Sequence, residues 1–350
     1  MAKRVLIAPL NWGLGHATRC IPVIRLLLQR GHQVFVASDG DSLELLTKEF
    51  PQLTFFELPS YNIYYSRNIP AWLLTLWRTR PFLKSISREH AAVANIVKEN
   101  KIDLIIADNR YGVWARGIKS IFMSHQLNLV MPPGTKWMGG VINFFHRRLI
   151  RKFNSVWVPD MPENTLSGDL TRTKLTADFV GLLSRFERRE EPTRYKLAVV
   201  LSGPEPQRTL LEKNLLPQVI MLNVPSVFVR GMVKEKMGES EIENVRIYNY
   251  RKSDELHHII SQSEIIVSRS GYSTLMDLAV MKKMAVLIPT PGQPEQEYLA
   301  TKFMNERVAY SIDQERLDLK DALELSGEYT GFDTQQADDL LVSAFEKQGL

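Results

Sequence analysis

Apolar blocks and polar breaks along this chain predict strands and helices in regular succession. Arg4 to Pro9 is dominated by a continuous apolar run, the pattern of a strand buried on both faces. A loop from Leu10 to His16 follows. Apolar residues at helical spacing then run through Ile21, Ile24, Leu27 and Leu28 and stop at Gly31, a residue suited to a helix C-cap. His32 to Ala37 predicts the second strand. The same reading places strands at Ile102 to Ala107, Ser120 to Met123, Val156 to Pro159 and Phe179 to Gly181. Further on it places them at Lys196 to Leu201, Val227 to Arg230, Val245 to Tyr250, Glu264 to Val267, Met284 to Ile288 and Val308 to Ile312. Ser253-Asp254 predicts the cap of a helix through Ile260, and Leu275, Leu278 and Ala279 mark another. Strands alternating with helices predict an α/β fold with mainly parallel sheets.

At 350 residues the chain exceeds one ordinary core and divides into two such domains. The charged run Glu187 to Arg194, with Pro192, reads as the junction. The expected boundaries are 1–183 for the first domain, 184–194 for a linker, 195–332 for the second and 333–350 for a final helix, Gln335 to Lys347. A hydrophobic content of 44% and a charged content of 24% are globular values. The net charge of +5 favours acidic partners, namely nucleotide phosphates, anionic lipid surfaces or nucleic acid. The sole cysteine, Cys20, cannot close an internal disulfide, which makes a reducing cytoplasm the expectation. The first residues read as a strand rather than a signal peptide, and no segment nears the roughly 18 apolar residues of a membrane span.

The candidate chemistry lies where strands meet helices. After the strand ending at Val267, Ser268-Arg269-Ser270-Gly271 leads at once into a helix. Free N–H groups at Ser270 and Gly271, with the helix dipole, suit a phosphate. The next strand ends at Pro289-Thr290-Pro291-Gly292 and delivers Gln293, Glu295 and Gln296 to the same carboxyl edge, where open α/β sheets bind ligands. One ligand offering both phosphates and hydroxyls is a nucleotide-sugar. In the first half, Gly13 and Gly15 tempt a dinucleotide reading, but the fingerprint's third small residue is Thr18. His16, at a helix start, is either a cap or surface residue or a general base. Asp108, Asn109 and Arg110 end one strand, and His125 follows another. Two segments interleave aromatic and basic residues: Tyr61 to Lys84 and Trp137 to Phe153, the latter with Phe144, Phe145, Leu149 and Ile150 beside Arg147, Arg148, Arg151 and Lys152. Their apolar faces belong either to the core or to an anionic membrane. No nucleic-acid-binding module is present, and nucleic acid is not an expected partner. No carboxylates or imidazoles stand at metal-ligand spacing, so no metal and no cofactor are expected.

The pattern SRSG-x-x-T-x-x-D-L-A, a strand, then P-x-P-G-Q-x-E-Q resembles the donor-binding half of two-domain GT-B glycosyltransferases. The class is that of the peptidoglycan lipid-intermediate N-acetylglucosaminyltransferase and the monogalactosyl-diacylglycerol synthases, with a family 28-like C-terminal domain. The resemblance implies two Rossmann-like domains facing across a cleft, an acceptor-binding domain first and a donor-binding domain second, with the last helix crossing back. It implies that Asp277 binds the nucleotide ribose and that Glu295 and Gln296 bind sugar hydroxyls. Gly13-Leu14-Gly15-His16 resembles the acceptor loop of the class, with His16 as base and Asp108 as its partner. Arg185, following Gly181, stands near the place of a donor-binding arginine. Gly203 lies where related enzymes turn under the pyrophosphate, and Arg208 is either compensating charge there or a solvated helix residue. Leu299 stands where the peptidoglycan enzyme has an asparagine, so that enzyme's donor and acceptor are not assumed.

The expected activity is therefore an inverting, metal-independent transfer of a sugar, UDP-linked by resemblance, to an acceptor hydroxyl. A lipid- or membrane-linked glycan is one fitting acceptor, and peripheral attachment to the inner membrane face the matching location. Three rivals remain: a nucleotide-sugar hydrolase of the pseudaminic-acid pathway type, which shares the G-x-GH-x-x-RC pattern of Gly13 to Cys20; a UDP-sugar epimerase; and a non-enzymatic, degenerate nucleotide-sugar-binding scaffold.

Overall fold

A computed structural model describes residues 2–61, 71–131, 134–163, 165–203, 205–235, 238–334 and 339–350, without the side chains of 71–80. Most of the first aromatic–basic segment, and the start expected for the last helix, lie outside the described residues. Two α/β units emerge: residues 1–12, 16–183 and 336–350 in one, 13–15 and 184–335 in the other.

The first unit holds seven strands: β1 (Arg4–Pro9), β2 (Gln33–Ser38), β3 (Thr54–Glu57), β4 (Leu104–Asp108), β5 (Lys119–Met123), β6 (Ser155–Val158) and β7 (Asp178–Phe179). They lie side by side in the order β3-β2-β1-β4-β5-β6-β7, every pairing parallel. Central strands carry unbroken apolar runs because helices cover both faces: α1 (Gly15–Gln29), α2 (Gly40–Glu49), α3 (Ala71–Asn100) and α4 (Gly139–Ile150). Leu6, Ala8, Ile105, Ala107 and Phe122 share one buried cluster with Val93 and Ile96 of α3. Gly31 ends α1 with φ +79°, and the amides of Gly31 and His32 reach back to the Leu28 and Leu27 carbonyls, the C-cap predicted from its position.

The second unit repeats the plan. Its strands are β8 (Tyr195–Val200), β9 (Ser226–Val229), β10 (Glu239–Ile242), β11 (Val245–Tyr248), β12 (Ser263–Ser268), β13 (Met284–Leu287) and β14 (Tyr310–Ser311). Their order is β10-β11-β9-β8-β12-β13-β14, parallel except for the β10–β11 hairpin. The helices are α5 (Gln207–Leu222), α6 (Ser253–Ser261), α7 (Tyr272–Val280), α8 (Pro294–Asn305) and α9 (Leu319–Ser326). Strands β3 and β10 are not among those predicted from the sequence, and two further details differ from that reading. Lys252 rather than Ser253 is the N-cap of α6, because Glu255 accepts the Lys252 amide at 3.1 Å. The segment 184–194 is no free tether: Glu187 O meets His257 Nε2 at 2.7 Å, and Glu191 accepts from the Gln262 side chain at 2.9 Å, fastening it along α6.

A last helix, α10 (Asp339–Gln348), packs on the first sheet. Phe345 is fully buried and stacks on Trp157 of β6 with centroids 5.8 Å apart, and Lys347 pairs with Asp178 of β7 at 2.7 Å.

Each strand order reverses once. In the first sheet the chain leaves β1 toward β2 and returns on the other side as β4; in the second, β8 is flanked by β9 and β12. The loops after β1 and β4, and those after β8 and β12, therefore diverge at the carboxyl edge of each sheet and leave a crevice there.

Candidate functional site

In the first unit the reversal point brings together His16, in the first turn of α1, and Asp108, the last residue of β4. His16 Nδ1 lies 3.2 Å from Asp108 Oδ1, and both are buried. The structure adds Arg19, one helical turn beyond His16 and fully buried. Its Nε donates to Asp108 Oδ2 at 2.7 Å and its Nη2 to Asp108 Oδ1. The same Nη2 approaches His16 Nδ1 at 2.6 Å, while Nη1 approaches His125 Nδ1 at 2.7 Å. His16, Arg19, Asp108 and His125 thus form one buried polar cluster. Burial alone would raise the Asp108 carboxyl, but Arg19 and then His16 outweigh it and hold it at about 2. Burial, then Arg19, lower His16, with Asp108 opposing. Burial and Asp108 push the Cys20 thiol well up, so it behaves as an inert core residue.

Asn109 and Arg110 have different surroundings. Asn109 turns with φ +59° and accepts the Ser124 hydroxyl at 3.1 Å. Arg110 is completely buried, donating to the Pro9 carbonyl at 2.8 Å, to Glu89 Oε1 at 2.7 Å and to Asp39. Glu89, equally buried, also accepts the Tyr61 hydroxyl and the Gly112 amide. With two carboxylates matching one guanidinium, Arg110 ties α3 to the ends of β1 and β2 and is not placed to hold an acceptor. Beside it opens a groove of about 700 Å³ lined by Asn11, Asp39, Gly40, Glu57, Pro59 and Ser60. Glu89 carries no local sequence signal; only the fold shows what it does.

In the second unit the β12–α7 and β13–α8 loops are locked together. Arg269 is buried without a carboxylate among its described contacts, and donates to the carbonyls of Ile288 (3.2 Å), Pro289 (3.1 Å) and Gln207 (2.9 Å) and to Gln314 Oε1 (2.6 Å). Burial lowers it to about 10, still charged at neutral pH. Ser270 Oγ donates to the Gln296 carbonyl at 2.8 Å, and Gln296 Oε1 accepts the Thr290 amide at 2.8 Å. The hydroxyl of Ser270 and the side-chain oxygen of Gln296 thus hold loop to loop. Gly271 is the N-cap of α7 and Gln293 the N-cap of α8, with Glu295 half-buried in the first turn that follows. Leu299 is fully buried in α8.

Asp277, on α7, accepts the Ser184 hydroxyl at 2.6 Å, and Arg185 Nε stands 3.8 Å from its other oxygen. Burial raises Asp277 to about 6 against the pull of Arg185 and Ser184. Arg185 also lies over the Phe186 ring at 4.7 Å. Ser184, which the sequence reading passed over, completes this corner. Gly203 takes φ +106° after β8, with no atom within 4 Å of where a Cβ would stand. Arg208 is neither solvated nor turned to an anion: it donates to Glu205 at 2.7 Å, Glu212 at 2.9 Å and the Arg230 carbonyl at 3.2 Å. Those two carboxylates already balance its charge. Among the described residues no cluster of three or more His, Cys, Asp or Glu is arranged to hold a metal ion.

One surface feature stands apart. On α4 and the short turn before it, Trp137, Val141, Phe144 and Phe145 are 78, 61, 54 and 59% exposed, while His146 and Ile150 face inward. Lys136, Arg148, Arg151 and Lys152 are exposed nearby. Ile150, expected on the same apolar face as the phenylalanines, is instead core. Among the described residues no helix is long and apolar enough to cross a membrane.

Comparisons with known proteins agree with this architecture in both halves. Residues 225–327 match the glycosyltransferase family 28 C-terminal domain, and residues 4–116 match glycosyl transferase family 1. An uncharacterised glycosyltransferase of Methanopyrus kandleri is 22% identical over 85% of this chain and 88% of its own. The UDP-N-acetylglucosamine–N-acetylmuramyl-(pentapeptide) pyrophosphoryl-undecaprenol N-acetylglucosamine transferase of Pasteurella multocida is 24% identical over 89% of this chain and 84% of its own. Among solved structures, the glycosyltransferase of kitacinnamycin superimposes with a TM-score of 0.64 at 17% identity, covering 93% of this chain and 90% of its own. The spinosyn rhamnosyltransferase complexed with thymidine diphosphate gives 0.64 at 14% identity, covering 99% of each.

Proposed function

We propose that this chain, a glycosyltransferase of GT-B fold and family 28-like type, moves a sugar from a UDP-linked donor to an acceptor hydroxyl with inversion and without a metal ion. The observation that carries the reading is the pair of locked loops after β12 and β13, inside the family 28 match, with Asp277 and Glu295 at the carboxyl edge of the second sheet.

In this reading the second unit holds the donor. Asp277 accepts from the ribose hydroxyls and Glu295 from the sugar. Amides at Ser270 and Gly271 meet the diphosphate, with Arg185 and the neighbouring charge of Arg269 balancing the negative charge that grows on the leaving group. The gap that Gly203 leaves after β8 lets backbone approach that diphosphate. The first unit serves the acceptor: His16 takes its proton as the anomeric carbon passes through an oxocarbenium-like state. Asp108 steadies the imidazole. The Pasteurella relative is named for a lipid-linked acceptor, and the exposed aromatic and basic face of α4 suits an anionic membrane on which such an acceptor would lie.

Calorimetry of the full chain with UDP and other nucleoside diphosphates, followed by product mass spectrometry with a panel of nucleotide-sugars with and without acceptor lipids, tests this. UDP binding and an acceptor-dependent glycoside support it. Absence of any nucleoside diphosphate binding at millimolar concentration overturns the donor site, and full-speed donor consumption in water alone turns the reading to hydrolysis.

A further inference from the structure

The contacts of Arg19 determine where the proton of His16 sits, and they do not match a plain aspartate–histidine pair. A guanidinium only donates hydrogen bonds. The 2.6 Å approach of Nη2 to His16 Nδ1 therefore needs a lone pair on that nitrogen, as does the 2.7 Å approach of Nη1 to His125 Nδ1. Nη2 carries two hydrogens, one for His16 and one for Asp108 Oδ1, and Nε serves Asp108 Oδ2. Both Asp108 oxygens are thus engaged by Arg19, and the longer 3.2 Å separation between His16 Nδ1 and Asp108 carries no proton. A neutral His16 in this arrangement has its proton on Nε2. In that form the outer nitrogen is a donor and cannot accept a proton.

We propose that Arg19 is a positioning residue that selects the tautomer of His16, holding it as the Nε2–H form in the free protein and releasing Nδ1 to Asp108 for turnover. The proposal rests on the reading of His16 as the acceptor's base. For that step His16 must begin with Nδ1–H directed at Asp108 and a lone pair on Nε2. The acceptor O–H bond then breaks, its proton joins Nε2, its oxygen forms the glycosidic bond, and the diphosphate leaves with the electron pair of the broken sugar–phosphate bond. Nη2 must first give up its contact with Nδ1.

Charge works in the same direction. Arg19 and Asp108 neutralise one another in the buried cluster, so an imidazolium at His16 adds an uncompensated buried charge. The groups facing His16 are Arg19 on its own helix, Asp108 at the end of β4 and His125 after β5, with the neutral Cys20 thiol 3.8 Å from Asp108. The combined effect on His16 is downward. Burial is the largest part of it and Arg19 the next, so removing Arg19 takes away one downward influence and leaves the upward pull of Asp108 unopposed by a guanidinium.

Nitrogen NMR of the full chain with labelled histidine, without donor or acceptor, reads the tautomer directly and needs no variant. The expected spectrum, assigned by loss of the signal in His16→Ala, has an unprotonated Nδ1 and a protonated Nε2. A protonated Nδ1 in the free protein overturns the proposal, whatever the protein transfers. In Arg19→Leu the Nδ1 proton should appear, and the His16 titration should move up by at least one pH unit. Arg19→Lys, which keeps a charge but not the fork, should show a mixed tautomer if Leu does not fold. An unchanged tautomer in a folded Arg19 variant also overturns it. Because no substrate enters these measurements, their failure is distinct from a failure of the glycosyltransfer reading, which His16→Ala activity decides.

Discussion

Ser184 Oγ donates to Asp277 Oδ1 at 2.6 Å, so the residue that opens the second unit sits on the acid of α7. That carboxyl is already raised to about 6 by burial, and one hydroxyl does not restore it. Two ribose hydroxyls would supply further donors to the charged form. UDP affinity should therefore rise as pH increases through about 6, and the rise should be absent in Asp277→Asn. Comparing the two proteins by calorimetry removes the titration of the diphosphate itself. Asp277→Ala should weaken binding by about 1.5–3 kcal/mol, the scale of a hydrogen bond to a charged group. A flat profile in the parent protein would remove ribose from this position.

His16→Ala should lower turnover by on the order of 10²–10⁴ while leaving donor affinity nearly unchanged, the signature of a lost general base. Asp108→Asn should cost less turnover but more stability, because it leaves Arg19 buried without its counter-charge. Steady-state kinetics together with thermal melting separate the two effects. Unaltered turnover in His16→Ala with a verified acceptor would end the base assignment.

Arg110→Leu should destabilise the first unit by on the order of 3–5 kcal/mol, because it strands Glu89 and Asp39 as buried carboxylates. Urea unfolding followed by Trp fluorescence measures it. If Arg110 instead served the acceptor, the variant would fold normally with a raised acceptor KM.

His146 of α4 is buried, and neither ring nitrogen has a hydrogen-bond partner among the described residues. Burial, then Arg147, lower it to about 4. Its folded pKa lies below its unfolded value of 6.5, so the unfolded chain binds the proton first. The stability from keeping this ring neutral is present above 6.5 and is lost as pH falls toward about 4, on the order of 3 kcal/mol. His146→Phe should flatten the melting temperature over that window. An unchanged acid slope would mean that other groups carry it.

Phe144→Ser with Phe145→Ser should abolish sedimentation with anionic vesicles without lowering the melting temperature, since both side chains are more than half exposed. A large drop in stability would return these rings to the core.

The α/β fold was legible because parallel strands covered on both faces leave continuous apolar runs, as in Ile105–Ala107 and Ile265–Val267. His16, Asp108, Asp277 and the two loops were legible because glycine, hydroxyl and acid residues cluster at strand ends. Arg19 was visible inside the G-x-GH-x-x-RC pattern but not as a partner of Asp108, since that contact joins residues far apart in the chain. Glu89 was hidden for the same reason. Arg110 and Arg208 misled because an arginine at a strand end reads alike whether it faces a ligand or buried acids. Periodicity puts Phe144 and Ile150 on one amphipathic helix, but which apolar residues face outward depends on where α4 docks.

The seat of α10 on the first sheet has a consequence for how the protein is made. Trp157 is complete only when Phe345 stacks upon it, and Lys3 and Arg30 bond the carbonyls of Gln348 and Leu350. During synthesis those partners leave the ribosome only after the second unit has been made. The first unit, although translated first, waits with an indole edge uncovered until the second has been made, and early release of the nascent chain would leave it unfinished. The half that ought to mature first is closed by residues that follow the second half in sequence.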